Sequence, residues 1–189
     1  ALSCSPKLII ADEPTTALDV TAAAQITSLL ADLEREQDMS LLLISHDVGL
    51  VAEIADQLVV LYAGAVMEMG PTADLLSAPA HPYTRALLRS VPPLREQRRR
   101  RGPSAVRLPT IAGGVPDPRK LPPGCRFSDR CPEALPVCSD AEPELVEVSG
   151  RSVRCVLVYD EPLPLSLTSA RQDEADGDAK GDHDDADGA

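Results

Sequence analysis

An α/β fold with parallel strands and flanking helices, followed by a small irregular Cys-rich extension and a disordered tail, is what the 189-residue sequence predicts. Three observations carry this expectation. Short aliphatic runs alternate with amphipathic stretches over residues 1–91. Pro, Gly and Arg then dominate residues 92–124 without periodicity, as in a linker or irregular arm. Four of the five cysteines fall within residues 125–160. Strand, helix, strand in this order implies right-handed parallel crossovers, with chemistry expected at the C-terminal strand ends.

Each element has a local reason. Leu8 to Ala11 is a continuous apolar run, the pattern of a strand buried on both faces of a parallel sheet. Ile26, Leu29, Leu30 and Leu33 recur at i, i+3, i+4 and i+7, one stripe of an amphipathic helix. Asp19 or Thr21 is placed to cap its start, and the polar "EREQD" run closes it. Leu41 to Ile44 reads as a second buried strand, followed by "SHD" and a short helix through Ala55. "QLVVLYAGAVMEMG" reads as two strands around an Ala63-Gly64 turn, closed by Gly70. Pro79 and Pro82 interrupt the helical pattern before "YTRALLRS", a short helix with Ala86 and Leu87 apolar.

Charge and composition bound the function. The formal charge of −12 argues against a phosphate-backbone partner, so no nucleic acid is expected. Much of the acidity lies in "QDEADGDAKGDHDDADGA", which reads as a solvated tail, and residues 161–189 are expected to be disordered. With one Phe, three Tyr and no Trp, aliphatic residues are expected to supply the core. No apolar run approaches the ~18 residues of a membrane span. The N-terminus lacks a basic segment followed by an apolar one, so a reducing, cytosolic location is expected. The chain starts at Ala1 and enters a strand pattern within seven residues, which points to a fragment or a processed chain.

The residues with most chemical content are Asp12 and Glu13, adjacent carboxylates directly after an apolar run, and His46 after the next one. Phosphoryl transfer to water needs a carboxylate for Mg²⁺, a second group to orient or deprotonate water, and a donor for the phosphate charge. The plainer alternative is that the carboxylates cap a turn and His46 is a surface histidine. "LIIADEPTTALDV" resembles the Walker B motif and D-loop of an ABC-transporter ATPase, and "LLLISHD" resembles its switch-histidine strand. The resemblance implies a partial P-loop NTPase domain over residues 1–91. It implies Asp12 as the Mg-ATP carboxylate, Glu13 as catalytic base, His46 as γ-phosphate sensor and Asp19 as the D-loop acid at a dimer interface. The phosphate loop "GxxxxGK[ST]", the glutamine loop and "LSGGQ" are absent from the sequence. This chain alone is therefore expected neither to bind ATP tightly nor to hydrolyse it, and the activity belongs to a longer parent.

"SAPAHPYTRALLRSVP" resembles the "HPYT" segment closing the ATPase domain of oligopeptide/dipeptide ABC importers. Cys125, Cys131, Cys138 and Cys155 follow as C-x5-C-x6-C-x16-C, a spacing that does not by itself choose a metal. So small an element gains stability from a metal, and four thiolates suit iron–sulfur or zinc. This stretch, residues 92–160, resembles the C-terminal extension of the same importers, some of which hold a [4Fe–4S] cluster. The cluster leads, Zn²⁺ is its alternative, and four free thiols in a loose extension remain the plain reading. Cys4 reads as a small core residue. Arg98 to Arg101 reads as a solvated linker in preference to a lipid-headgroup contact.

The resemblance implies an ATP-hydrolysing subunit at the cytoplasmic face of the plasma membrane. Its partners would be a second ATPase subunit (homo- or heterodimer), two permease subunits and, indirectly, a substrate-binding protein. Two other classes stay in play: an ABC-type DNA-repair ATPase, and a non-catalytic truncated interaction module.

Overall fold

A computed structural model describes residues 6–37, 39–91 and 110–159. Two sheets organise them. The first pairs β1 (Leu8–Asp12) with β2 (Ser40–Ile44) in parallel, Leu8 opposite Ser40 and Asp12 opposite Ile44. The crossover is α1 (Val20–Gln37), and α2 (Val48–Ile54) follows β2. Asp19, not Thr21, starts α1: its carboxylate accepts the Ala22 amide at 2.8 Å and its carbonyl accepts the Ala23 amide at 2.8 Å. Asp47 starts α2 in the same way, accepting from the Gly49 and Leu50 amides.

The expectation that both strands are buried on two faces does not hold. Helix α1 packs on β2, and Ala11 on that side is buried. The opposite side carries Leu8, Ile10, Leu42 and Ile44, between 44% and 62% exposed. Side chains alternate across a strand, so one helical layer covers only one set. No layer among the described residues covers the other. The α1 stripe also differs from its pattern: Leu29 faces solvent, while Thr27 is buried with its hydroxyl donating to the Ala23 carbonyl at 2.9 Å. Satisfying the hydroxyl within the helix removes most of the desolvation cost that hydropathy assigns to it.

The second sheet is antiparallel. It orders β3 (Gln57–Tyr62), β4 (Ala65–Pro71), β6 (Arg151–Val153) and β5 (Val146–Val148) as β3-β4-β6-β5. Ala63 and Gly64 form the first hairpin's two-residue turn with φ of +47° and +80°. That left-handed pair matches the strand twist, and glycine takes its position without a Cβ penalty. β4 runs one residue past Gly70, to Pro71. Helix α3 (Thr72–Ser77), which periodicity did not announce, and α4 (Pro82–Ser90) follow. Pro82 sits in the first turn of α4, where its missing N–H costs nothing.

Residues 146–153 continue the sheet begun by residues 57–71: Glu68 pairs with Val153 and Met69 with Ser152. The expected 91/92 boundary is thus spanned by a strand ladder. Residues 110–124 form the irregular arm, with no helix or strand. Aliphatic residues do not dominate the core between hairpin and extension. It is built from Tyr62, Ala65, Met67, Cys125, Phe127, Cys138 and Val156, with Tyr83 packed against it. Tyr62, Tyr83 and Phe127 stand with ring centroids 4.7–5.3 Å apart. Scarce aromatics are concentrated here because each buries more area than an aliphatic side chain. Phe127, 1% exposed, contributes on the order of 3 kcal/mol by burial alone.

Arginines satisfy the irregular backbone around this core. Arg130 donates to the Tyr62 hydroxyl and to the Ile111 and Ala112 carbonyls, and Arg154 donates to the Val66 and Pro143 carbonyls. Arg126 Nη1 donates to the Ala63 carbonyl at 2.6 Å, clamping the hairpin turn. Carbonyls outside regular ladders need such donors when water is excluded.

Candidate functional site

Two constellations emerge, one beside each sheet. At the C-terminal ends of β1 and β2 the chain leaves both strands side by side. Glu13 has φ of +49°, unusual for a residue with a Cβ, and its amide donates to the Ile44 carbonyl at 2.8 Å. Left-handed backbone at a non-glycine residue costs energy and clusters at functional sites. The result is convergence of two groups 33 positions apart. His46 Nδ1 lies 2.8 Å from Glu13 Oε2 and 3.0 Å from Oε1, while Thr16 Oγ1 donates to Oε2 at 2.8 Å.

The pair is open to solvent, with the His46 side chain 80% exposed. Hydrogen bonding to His46, then to Thr16, holds the Glu13 carboxyl below its ordinary range, and the same contact raises His46 above its own. Both shifts describe one ion pair. Asp12 ends β1 one residue away, opposite Ile44, and is exposed. Asp19 is not part of the cluster; its carboxylate caps α1.

The second constellation lies against the four-stranded sheet. Cys125, Cys131, Cys138 and Cys155 line one cavity, and none forms a disulfide. Three-ten turns at Ser128–Arg130, Pro136–Ser139 and Val156–Val158 bring them there. Gly124 is required by close approach: a Cβ there would stand 2.1 Å from the Cys138 carbonyl oxygen, which itself accepts the Cys125 amide at 2.7 Å. Burial raises Cys125 and Cys131 and pushes Cys155 up to about 11, with neighbouring cysteines adding to the effect. Neutral thiols are what an uncompensated sulfur pocket favours, and a cation among them would invert that preference.

Among the described residues, no group of three or more His, Cys, Asp or Glu is arranged to hold a metal ion. A single ion needs all its donors at one point. A cluster gives each cysteine its own iron and spreads the sulfurs apart. The donor set, four cysteines lining one cavity with none in a disulfide, is the kind a [4Fe–4S] cluster takes.

His81 forms part of the cavity wall. Its Nδ1 accepts the Tyr83 amide at 2.9 Å, capping α4, and burial pushes its pKa down to about 4. Its backbone is held by Glu68, a residue sequence reasoning passed over. Glu68 is 0% exposed, and its two oxygens accept the Ala80 amide at 2.8 Å and the His81 amide at 3.0 Å. Arg151 stands 3.7 Å from it. The available signal was a glutamate inside the apolar strand "AVMEMG". Buried carboxylates persist where they are paired and hydrogen-bonded. Cys4, the Arg98 to Arg101 run and the acidic tail lie outside the described residues.

Residues 67–138 match the family described as oligopeptide/dipeptide transporter, C-terminal region. The chain is 49% identical over 162 residues to the oligopeptide transport ATP-binding protein AppD of Bacillus subtilis, spanning 85% of this chain and 47% of that one. It is 47% identical over 155 residues to the dipeptide transport ATP-binding protein DppD of Haemophilus influenzae, spanning 82% of this chain and 45% of that one. It is 44% identical over 163 residues to the oligopeptide transport ATP-binding protein OppD of Salmonella typhimurium, spanning 86% and 47%. The chain thus spans about half the length of the curated relatives it matches. These likenesses lend no support to a DNA-repair ATPase or to a stand-alone interaction module.

Proposed function

We propose that the chain belongs to the family of oligopeptide/dipeptide ABC-transporter ATP-binding proteins, and that it forms the part of such a protein that carries the water-activating side of ATP hydrolysis and the C-terminal extension. The observation that carries this reading is the Glu13–His46 contact at the ends of two parallel strands. Its geometry follows from register: Asp12 and Ile44 end opposite one another, so the next turns must meet.

Mg-ATP, when bound, supplies the reacting phosphate and its charge. Asp12 is the carboxylate toward Mg²⁺. Glu13 is ionised, and His46 and Thr16 fix both of its oxygens, so it orients a water and accepts its proton. A lowered pKa makes it a weak base while His46 is attached; its basicity rises when the imidazole moves off. His46, once off Glu13, offers a ring N–H to a phosphate oxygen. Asp19, at the start of α1, faces the proposed dimer interface. The phosphate loop is not within these 189 residues, so the site needs the longer protein.

In that assembly the ATPase pairs with a like or related subunit at the cytoplasmic face of the plasma membrane. It drives two permease subunits that a substrate-binding protein supplies with peptides. No helix among the described residues is long and apolar enough to cross a membrane. Cys125, Cys131, Cys138 and Cys155 hold a [4Fe–4S] cluster, with Zn²⁺ as the alternative; the shared cavity supports this.

The test is ATP turnover and peptide uptake by the full-length protein with its permeases, comparing native Glu13 with Glu13→Gln. The reading requires that the variant keep ATP binding and lose both turnover and uptake. Full turnover in the variant would remove Glu13 from the chemistry and the proposal with it.

A further inference from the structure

His81 is 1% exposed, lines the four-cysteine cavity, and has one ring nitrogen in use and one idle. Nδ1 accepts a backbone amide, so it cannot carry the proton of the neutral ring. The proton therefore sits on Nε2, which makes that atom a donor. Nε2 is buried and has no hydrogen-bond partner. The nearby Arg154 backbone favours a proton there, yet no bond of acceptable geometry forms. An idle buried donor is unfavourable in an ordinary core and calls for an acceptor. The cavity His81 lines offers sulfur.

Rigidity supports the same conclusion. Glu68 grips the Ala80 and His81 amides, Nδ1 is tied to the Tyr83 amide, and the ring stands 6.2 Å from the Phe127 ring. The imidazole is held at backbone and side chain alike, as a positioned donor must be. Donors to sulfur raise the reduction potential of iron–sulfur centres by stabilising the charge added on reduction.

We propose that His81 donates its Nε2–H to sulfur within the four-cysteine cavity and so tunes the iron–sulfur centre held there, an inference that rests on reading the cavity as a cluster site. His81 is then a positioning and tuning residue, not a ligand. The "HPYT" stretch gains a physical role: it builds a capped helix start whose capping side chain lines the four-cysteine cavity.

Two variants of the full-length protein, purified without oxygen, separate this role from helix capping. In His81→Asn the amide oxygen replaces Nδ1 as the cap and the far donor is lost. In His81→Gln the amide nitrogen reaches the place of Nε2 and the cap is lost. Iron and acid-labile sulfide are counted first, and the midpoint potential is then read by redox titration of the visible and paramagnetic signals. The expected result is a loaded centre whose potential moves negative in His81→Asn and returns toward the native value in His81→Gln. A loaded centre with unchanged potential in His81→Asn overturns the donor role alone. So does a shift in His81→Gln only, or loss of the cluster from both variants, because each marks His81 as structural. A native protein without iron and sulfide, or holding zinc alone, overturns the cluster reading and this inference together.

Discussion

The two sheets differ in where their apolar surface goes. In the parallel pair β1–β2, Ile10 remains 62% exposed and Leu8 51%, and the ion pair of Glu13 and His46 stands in solvent. In the antiparallel sheet, Met67 is 1% exposed and Val153 and Glu68 are 0%, and Phe127, in the extension packed on it, is 1% exposed. The first region arranges chemistry on a half-covered platform. The second closes a core around sulfur, aromatic rings and one buried carboxylate. Stability and the proposed hydrolytic groups are thus carried by different parts of the chain, which makes the contrast testable.

The largest effect belongs to the open region. Glu13→Gln removes the proton acceptor and should lower ATP turnover by about 10²–10⁴-fold in the full-length protein. ATP binding should persist, as equilibrium binding of a labelled nucleotide will show. A comparable loss from any substitution in the closed core, with the fold intact, would break the division of labour.

Phe127→Ala comes next. Emptying the centre of the aromatic trio should cost about 3–5 kcal/mol, read from urea unfolding. Hydrogen exchange should quicken in β4 and β6 and leave the β1 amides near their native rate. Uniform quickening would mean that the two sheets unfold as one unit.

Gly124→Ala tests the same core at one contact. A methyl group directed at the Cys138 carbonyl forces the backbone apart, so a loss of about 1–3 kcal/mol is expected together with reduced iron uptake. Unchanged stability would show that the loop yields freely.

A smaller change is expected from Asp19→Ala, which deletes the α1 cap at a cost of about 1 kcal/mol. If turnover also falls, Asp19 acts at the dimer interface as well as in the helix. Turnover unchanged at equal helix content would leave it a cap.

The smallest effect is a titration. His46 should titrate above its ordinary 6.5 and return to about that value in Glu13→Gln, by NMR of the imidazole protons. The sign follows from linkage. Stabilisation from the raised His46 is complete below 6.5 and is lost as pH climbs through its folded value. Stabilisation from the lowered Glu13 is present above 4.5 and is lost as pH falls through its folded value. The contact is therefore strongest between these limits, and solvent exposure keeps its effect on stability small. An unshifted His46 in the native protein would remove the ion pair.

Much of the open region was legible in the sequence. An apolar run ending in "ADEP" and another ending in "ISHD" announce strands and candidate chemistry together, because strand ends are set by short-range pattern and the reactive groups lie within two residues of them. Asp19 was readable as a cap for the same reason. Burial of β1 and β2 was not, since an apolar run reports what a strand can bury and not what is present to cover it. α3 escaped because six residues are too few to show a helical period.

The closed region was legible in its ingredients and not in its assembly. Four cysteines and "HPYT" stood out, yet Glu68 passed unnoticed because its partners, the Ala80 and His81 amides, are backbone groups 12 and 13 residues away. The joining of β6 to β4 brings residues 68 and 153 opposite one another across a loop that local pattern cannot measure. The sequence by itself determined most of the strands and helices before residue 92, where two carboxylates and a histidine end them, and which cysteines are available. Only the tertiary structure decided that Glu13 meets His46, that four cysteines share one cavity, and that the buried His81 ring lines it. Local elements follow from nearest-neighbour sterics and hydropathy, whereas convergence depends on packing between residues far apart in the chain, where burial makes each unsatisfied polar group costly and so selects the arrangement.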